Sequence, residues 1–208
     1  MEGDLTMLIR SSYWGRTNGD GEVTWGPGIS QALHIKNEWE KERAFGIPSL
    51  DKVYTSPLTR ALKTCDIAFN CSKKYHPSIP ILVVENCREE NGVYTYDKRR
   101  SRTYIRNHFP SFSIEDGFSE EDLLWHPDIR ENKIQMAVRA QSVLEMIFDE
   151  EPPVTLYNGF AHSTAFLLDV CLTIHGGLIN AFLSVLDCPK MSLPTGSVYP
   201  VVIRRYKS

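Results

Sequence analysis

Charged side chains recur at the ends of the stretches of sequence that read as β-strands. Arg10, Arg60 and His162 each stand at or just after such a stretch, and so does the carboxylate pair Glu89 and Glu90. In an open α/β sheet, ligands bind in the crevice outside the carboxyl ends of the strands. These residues are therefore expected to meet at one edge, where the arginines would hold an anion and the carboxyl and imidazole groups would move protons.

The segment Ser56-Pro57-Leu58-Thr59-Arg60 has the composition of a helix N-terminus. Serine is a favourable N-cap residue, and proline is favourable in the first turn. A helix that begins here directs free N–H groups towards the sheet edge, which suits phosphate or carboxylate. Arg60, one turn into the helix, would add a bidentate guanidinium group. Taken alone, an arginine at this position is more often paired with a surface acid than bound to a ligand.

Among the six histidines, His162 has the position that favours a role in the site. It stands at a predicted strand-to-helix junction, opposite Arg60 and Glu89. A lone histidine at a strand end is more often structural than catalytic, so this assignment depends on position. No motif surrounds the other five, and we assign them no role in the site: His34, His76, His108, His126 and His175.

Short β-rich runs alternate with helical patterns along the chain. Strands are predicted at residues 6–10, 52–56, 80–87, 154–161 and 198–206. Helices are predicted at residues 30–43, 58–69, 131–148 and 164–174. This alternation predicts an α/β fold with a largely parallel sheet that is covered on both faces.

Details of the pattern refine this prediction. Pro200 indicates that the last strand lies at an edge of the sheet or begins with a bulge. The helix at 131–148 has one predicted apolar face, which includes Ile134, Val138, Leu144 and Ile147. We find no internal repeat and no linker, so a single domain over residues 1–208 is expected.

The composition gives little support to several classes of protein. The 208 residues are 42% hydrophobic and 24% charged, with a formal net charge of −3. This balance gives no electrostatic reason to expect nucleic acid or a membrane as a partner. We see no secretory signal and no apolar run near the ~20 residues of a membrane span. The five scattered cysteines include no C-x-x-C pair and read as free thiols, so a cytoplasmic location is expected.

Four segments in order resemble the histidine phosphatase superfamily, whose fold is called phosphoglycerate-mutase-like. Residues 54–64 are similar to its second motif, a Ser-Pro followed by Arg-Ala and a Thr. Residues 88–99 resemble the segment that carries the general acid, which maps to Glu89. Ala161-His162-Ser163 is similar to the late Ser-His-Gly motif, although serine replaces its glycine. Residues 13–27 resemble a fungal branch of phosphomutase-like proteins.

The resemblance implies a three-layer α/β/α sandwich around a mostly parallel, mixed sheet, but one hallmark is missing. The family has Arg-His-Gly at the end of the first strand, and its histidine is phosphorylated. The equivalent residues here read Arg10-Ser11-Ser12. Either Ser11 replaces the nucleophile, or the whole hallmark segment is absent. Under either alignment no phosphohistidine forms at the usual place.

Three functions are compatible with this altered pocket. A repurposed enzyme would use Glu89 and His162 for acid–base chemistry, that is elimination, isomerisation or cyclisation of a small molecule in biosynthetic metabolism. A phosphatase would use Ser11 or water as the nucleophile, although a hydroxyl needs an adjacent base. A pseudophosphatase would act by binding alone. We favour the repurposed enzyme, because the acid, the arginine and the late histidine survive together.

The expected substrate is a small anionic or carbonyl-bearing molecule. Its binding is assigned to Arg10, Ser11, Arg60, Ser163 and Tyr94. The aromatic residues that flank the motifs favour an apolar or aromatic substrate. No metal and no cofactor are expected, since the sequence shows no metal-ligand spacing and no Gly-rich nucleotide loop. A homodimer is the default expectation for a domain of this kind.

Overall fold

The computed structural model describes residues 3–11, 16–17, 23–24, 26–44, 50–69, 79–149, 167–192 and 198–205. The strands are β1 Gly3–Ser11, β2 Arg16–Thr17, β3 Val23–Thr24, β4 Lys52–Thr55, β5 Ile81–Val83, β6 Ser113–Ile114, β7 Leu167–Ile174 and β8 Val198–Arg205. The helices are α1 Gly26–Ala44, α2 Thr59–Phe69, α3 Arg102–His108, α4 Lys133–Asp149 and α5 Gly176–Val185. Single 3-10 turns lie at Glu85–Cys87 and Thr95–Asp97.

Six of these strands form one sheet, in the order β6-β5-β4-β7-β1-β8. Every neighbouring pair is parallel except β1 with β8, which is antiparallel. Strand β8 ends the order, so Pro200 lies on an edge strand, where a missing N–H is tolerated. Strands β2 and β3 pair separately. The predicted α/β fold with a mostly parallel, mixed sheet is confirmed.

The two central strands send alternate side chains to opposite faces of the sheet. On β7, Leu172 joins a buried apolar cluster built mainly from α4 and α5, whereas Cys171 joins a second cluster that includes residues of α2 and α3. On β4, Tyr54 belongs to the first cluster and Val53 to the second. Helices therefore cover both faces at the centre of the sheet, which gives three layers.

The helix predicted at residues 164–174 is wrong, because strand β7 occupies most of that range. A central strand of a parallel sheet is buried on both faces, so its sequence is a continuous apolar run. Periodicity alone does not distinguish such a run from a buried helix. The strand predicted at residues 154–161 lies outside the described residues.

Helix α4 confirms the helix predicted at residues 131–148 but not its whole apolar face. Leu144 and Ile147 are buried, whereas Ile134 is 78% exposed and Val138 is 61% exposed. The buried stripe also includes Met136, Ala140 and Val143. Apolar residues occur around more of α4 than one contact stripe can cover, so the position of α5 decides which of them are buried.

Candidate active site

The carboxyl ends of β4 and β7 lie side by side, and the residues after them form the centre of the candidate site. The Ser56 N–H donates to the Thr173 carbonyl oxygen at 3.1 Å, which ties the two strand ends together. His175 follows β7 directly, and its Nε2 lies 2.8 Å from the Ser56 Oγ. Arg60, in the first turn of α2, donates through Nε to the His175 Nδ1 at 3.4 Å. Ser56, Arg60 and His175 are all buried.

Local structure explains why His175 stands at this edge. Its backbone is extended, with φ −120° and ψ 153°, and it is the N-cap residue of α5. The His175 carbonyl oxygen accepts from the Ile179 N–H at 2.9 Å. Because the first N–H groups of a helix have no partner within it, this end of α5 favours negative charge. A strand that ends in a helix N-cap thus places an imidazole beside an anion-binding position.

The His175 ring is held in one protonation state. An arginine N–H only donates, so Nδ1 accepts from Arg60, and the ring proton lies on Nε2 and is donated to the Ser56 Oγ. Burial lowers the pKa of His175 well below its ordinary value, and the positive charges of Arg60, Arg139 and Arg88 lower this pKa further. The ring is therefore neutral at neutral pH and is suited to donating a hydrogen bond.

The Arg60 guanidinium is fixed from its other side by an irregular segment. Its Nη1 donates to the Tyr96 carbonyl oxygen at 2.6 Å, and its Nη2 donates to the Asp97 Oδ1 at 3.2 Å. Burial lowers the pKa of Arg60, and the charge of Asp97 opposes that shift. Burial likewise raises the pKa of Asp97, while Arg60 and Arg130 oppose the rise. The site thus contains a buried cation that is held rigidly beside a neutral imidazole.

Glu89 approaches the N-terminus of α5. Its Oε2 accepts a long hydrogen bond from the Gly177 N–H at 3.4 Å, and its Oε1 accepts from the Glu90 N–H at 3.0 Å. A Cβ on Gly177 would clash with the Glu89 Oε1 and lie 3.1 Å from the carboxyl carbon. The missing side chain at position 177 is therefore what lets this carboxyl group reach the helix end. Glu89 also lies within electrostatic reach of the Arg60 guanidinium.

Arg139 of α4 holds the backbone that carries Glu89. Its guanidinium donates to the carbonyl oxygens of Asn86 and Arg88, both at 2.7 Å, and to that of Glu89 at 3.2 Å. The same group forms an ion pair with Glu131, with 2.6 Å between Nη2 and Oε2. One side chain therefore satisfies three carbonyl groups of a segment that has no strand partner.

Arg88 anchors the same segment from within. It pairs with Asp122 through two contacts, of 2.7 Å from Nη1 and 2.6 Å from Nη2, and with Glu85 at 3.0 Å. Arg99 pairs with Glu85 as well, at 2.7 Å. Burial acts to raise the pKa of Asp122, but its hydrogen bond and ion pair with Arg88 outweigh burial, and the pKa is lowered. Paired charges hold this part of the chain.

Of the predicted site residues, Arg60 and Glu89 lie within electrostatic reach of each other. Ser11 ends β1 and is paired in register with Ile174, the residue before His175, so β1 ends at the same edge of the sheet. Arg10 is paired in register with Thr173. Tyr94 is 48% exposed and belongs to the segment that contacts Arg60. The predicted site residues His162 and Ser163 lie outside the described residues.

His175 is the site residue that the sequence-based assignment lacks. The predicted helix at residues 164–174 puts His175 at a helix end with no motif around it, whereas the structure puts it directly after a central strand. The sequence contained a signal, because His175-Gly176 also resembles the His-Gly pair of the late family motif. Once the preceding run is read as a strand, position and motif agree.

A cavity of about 250 Å³ borders Arg60 between α1 and α2. Its lining combines the apolar Ile29 and Ile67 with charged side chains of both signs, Lys63 and Asp66. Over the described ranges, no group of three His, Cys, Asp or Glu side chains is placed to hold a metal ion. Nor does that part of the chain contain a helix with the length and hydropathy needed to cross a membrane.

Comparisons with known proteins agree with this fold. No protein-family model matches the chain. Over 200 residues, it is 36% identical to a probable phosphoglycerate mutase of Arthroderma benhamiae, which covers 92% of this chain and 55% of that protein. Over 197 residues, it is 29% identical to phosphomutase-like protein 3 of Candida albicans, which covers 92% of this chain and 56% of that protein. A phosphoglycerate mutase structure from Bacillus anthracis matches 100% of this chain and 93% of its own, with a TM-score of 0.60 at 14% identity.

The fold and the relatives together define an α/β protein with a phosphoglycerate-mutase-like fold. In sequence, the chain is similar to a probable phosphoglycerate mutase and to a phosphomutase-like protein. It spans about half the length of the curated relatives that it matches. The family resemblance read from the sequence is confirmed.

Proposed function

We propose that this chain binds a phosphomonoester at the site formed by Ser56, Arg60 and His175, with Glu89 beside the leaving group. The observation that carries the proposal is the buried arginine paired with a neutral histidine at the ends of β4 and β7. Arg60 supplies positive charge, and Ser56, whose Oγ accepts the His175 N–H, supplies an O–H donor, both of which suit phosphoryl oxygens. The N-terminus of α5 lies on the same side and adds to the attraction for an anion.

Hydrolysis is the reaction that this arrangement supports best. Glu89 would protonate the leaving-group oxygen as its bond to phosphorus breaks. No histidine precedes His34 in the sequence, so the attacking group would be water or Ser11 rather than a histidine at the end of β1. His175 is a weak base, because burial and neighbouring arginines lower its pKa. Since a hydroxyl nucleophile needs a base, we expect slow turnover.

Acid–base chemistry without phosphoryl transfer is a second candidate, namely elimination, isomerisation or cyclisation of a small anion. Its support is the approach of Glu89 to Arg60 in a chain that has no early histidine. The predicted partner of Glu89 in that chemistry is His162, and this role stays a prediction. His175 does not replace His162 as a base, because burial and neighbouring arginines lower its pKa. The phosphomonoester site therefore has the stronger support.

Inorganic phosphate binding, followed by calorimetry, tests the first part of the proposal. We expect saturable binding to the wild type and a loss of about tenfold or more for Arg60→Met, since a charged hydrogen bond is removed. Arg106→Met is the matched control, because Arg106 is an exposed arginine on α3. An equal loss in both variants would mean that net charge, and not the site, attracts phosphate.

Turnover of a generic phosphomonoester tests the second part. Glu89→Gln should keep phosphate binding and abolish the release of phosphate from the ester. Binding without turnover in the wild type would leave the pseudophosphatase, which acts by binding alone. Absence of phosphate binding in a folded wild type would contradict the proposal and favour the acid–base candidate, which would then be tested with non-phosphorylated anions.

A further inference from the structure

We infer that the leaving group of the substrate carries a planar aromatic ring, and that Tyr94 and Tyr96 form the platform on which this ring stacks. The inference rests on the proposed function, because the platform adjoins the phosphoryl site. It names a class of substrate, the aryl phosphates and nucleoside monophosphates, in place of the phosphates of small polyols.

The two tyrosine rings are stacked and open to solvent. Their centroids are 4.9 Å apart, and their planes differ by 11°. Tyr94 is 48% exposed and Tyr96 is 46% exposed, so this pair is not part of either buried cluster. The Arg130 guanidinium lies 5.0 Å from the centre of the Tyr94 ring. Stacked aromatic rings with an arginine beside them are the surfaces on which proteins stack nucleobases and other planar rings.

The platform is joined to the phosphoryl site through the backbone. The Tyr96 carbonyl oxygen accepts from the Arg60 Nη1 at 2.6 Å. The next residue, Asp97, accepts from the Arg60 Nη2 and from the Arg130 Nη1, both at 3.2 Å. The Tyr96 phenol is also within electrostatic reach of the Arg60 guanidinium. A phosphoryl group held by Arg60 therefore has these rings as neighbours.

The backbone before the platform adopts a costly conformation. Val93 has φ 66°, in the left-handed region that β-branched residues avoid, and Gly92 has φ 96°. Two contacts maintain it: Arg130 donates from Nη1 to the Gly92 carbonyl oxygen, and the Trp125 Nε1 donates to the Tyr94 carbonyl oxygen, each at 2.9 Å. Strained residues that are fixed in this way cluster at ligand sites. The strain turns the chain just before the two rings.

Ligand affinities of the Glu89→Gln protein test the inference, since this variant should bind esters without consuming them. We would titrate it with inorganic phosphate, glycerol phosphate, phenyl phosphate and a nucleoside monophosphate. Phenyl phosphate should bind about tenfold more tightly than glycerol phosphate, because one ring stacks. Adding Tyr94→Leu or Tyr96→Leu should reduce that ratio towards one, while Tyr94→Phe and Tyr96→Phe should keep it. The nucleoside monophosphate shows whether the larger ring system is also accepted.

The ratio of the affinities for phenyl phosphate and glycerol phosphate tests this inference independently of the proposed function. Equal affinities for phenyl and glycerol phosphate, or a tenfold ratio that survives both leucine variants, would overturn the aromatic platform while leaving phosphate binding intact. A folded protein that binds none of the four ligands would instead overturn the proposed function, and the platform with it. Should a leucine variant fail to fold, the ratio of the two affinities in the Glu89→Gln protein itself still decides the test.

Discussion

His175 and Glu89 reach one site from regions that are built in opposite ways. His175 follows the central strand β7 and caps α5, and both of these elements pack in the apolar cluster of α4 and α5. Glu89 lies in the segment from Glu85 to Arg130, where the longest regular element is the seven-residue α3. Buried arginines hold this segment in place. Apolar packing of regular elements therefore positions the backbone of His175, whereas paired charges position the backbone that carries Glu89.

The difference follows from where backbone carbonyl groups find their partners. Carbonyl groups in a helix or a sheet have backbone N–H partners, but an irregular buried segment must find other donors. Here Arg139 serves three of them, and Arg99 serves those of Arg100, Ser119, Glu120 and Glu121. Arginine side chains thus replace a hydrogen-bonded ladder. Substitutions should therefore destabilise the first region by leaving cavities and the second by leaving buried charges unpaired.

The largest effect is expected in the apolar region. Phe182 of α5 is fully buried in the cluster of α4 and α5. Phe182→Ala should lower the free energy of unfolding by about 4 kcal/mol, because it removes apolar burial and leaves a cavity. Urea unfolding followed by circular dichroism measures this loss. Val202→Ala, at a position that is 68% exposed on β8, is the control. A loss at Phe182 no larger than that of the control would contradict the packing account.

The charged region gives the next effect. Arg88→Met leaves the buried Asp122 without its ion pair, so a loss of about 3 kcal/mol in the free energy of unfolding is expected. The double variant Arg88→Met with Asp122→Leu should recover part of that loss, since no uncompensated carboxylate remains. Urea unfolding of both proteins checks this. A single variant that is more stable than the double variant would show that the charges do not hold the segment.

The positions of Arg60 and Glu89 were predictable from local sequence motifs. The apolar spacing of α2 and the Ser56–Arg60 segment fix the position of Arg60 near the end of β4, although α2 begins at Thr59, later than the cap residue suggested. The position of Glu89 was predictable for the same reason, because the motif at residues 88–99 is contiguous and comes soon after β5. Both assignments rest on residues that are adjacent in the sequence, so no tertiary contact is needed to make them.

The remaining parts depend on tertiary structure. The pair of Arg88 and Asp122 joins residues 34 positions apart, and no spacing rule identifies such partners. Strand β7 reads as a helix because both of its faces are buried, and that error removes His175 from the predicted site. Ile134 fits the helical periodicity of α4 and is nonetheless exposed, because α5 packs along a different stripe.

The pH dependence of the free energy of unfolding tests the account of His175. Its pKa in the folded protein lies well below the ordinary value of 6.5, so below pH 6.5 the unfolded chain binds a proton that the folded chain does not. The free energy of unfolding should therefore fall as pH falls, by about 1 kcal/mol over the first pH unit below 6.5. Urea unfolding of the wild type and of His175→Asn, at about pH 6.5 and about one pH unit lower, measures this difference. Other titrating groups occur in both proteins, so identical pH slopes would contradict a buried neutral imidazole.

The smallest effect on stability is expected at Gly177, where the two regions meet. Gly177→Ala places a Cβ against the Glu89 carboxyl group, but this is the mobile end of a side chain that can swing away. The free energy of unfolding should change by less than about 1 kcal/mol, because alanine also favours the helix. Turnover of the phosphomonoester should nevertheless fall by about tenfold, since the displaced acid is no longer aligned.

Gly176→Ala is the matched control for this substitution. It lies at the same helix end and gains the same helix propensity, yet nothing lies within 4 Å of its added Cβ. Unfolding and turnover assays on the two variants therefore isolate the contact with Glu89. Equal turnover in both would mean that the acid does not need the end of α5. Loss of turnover in Gly177→Ala alone would show that the apolar region positions the carboxyl group directly, so the two regions act as one site.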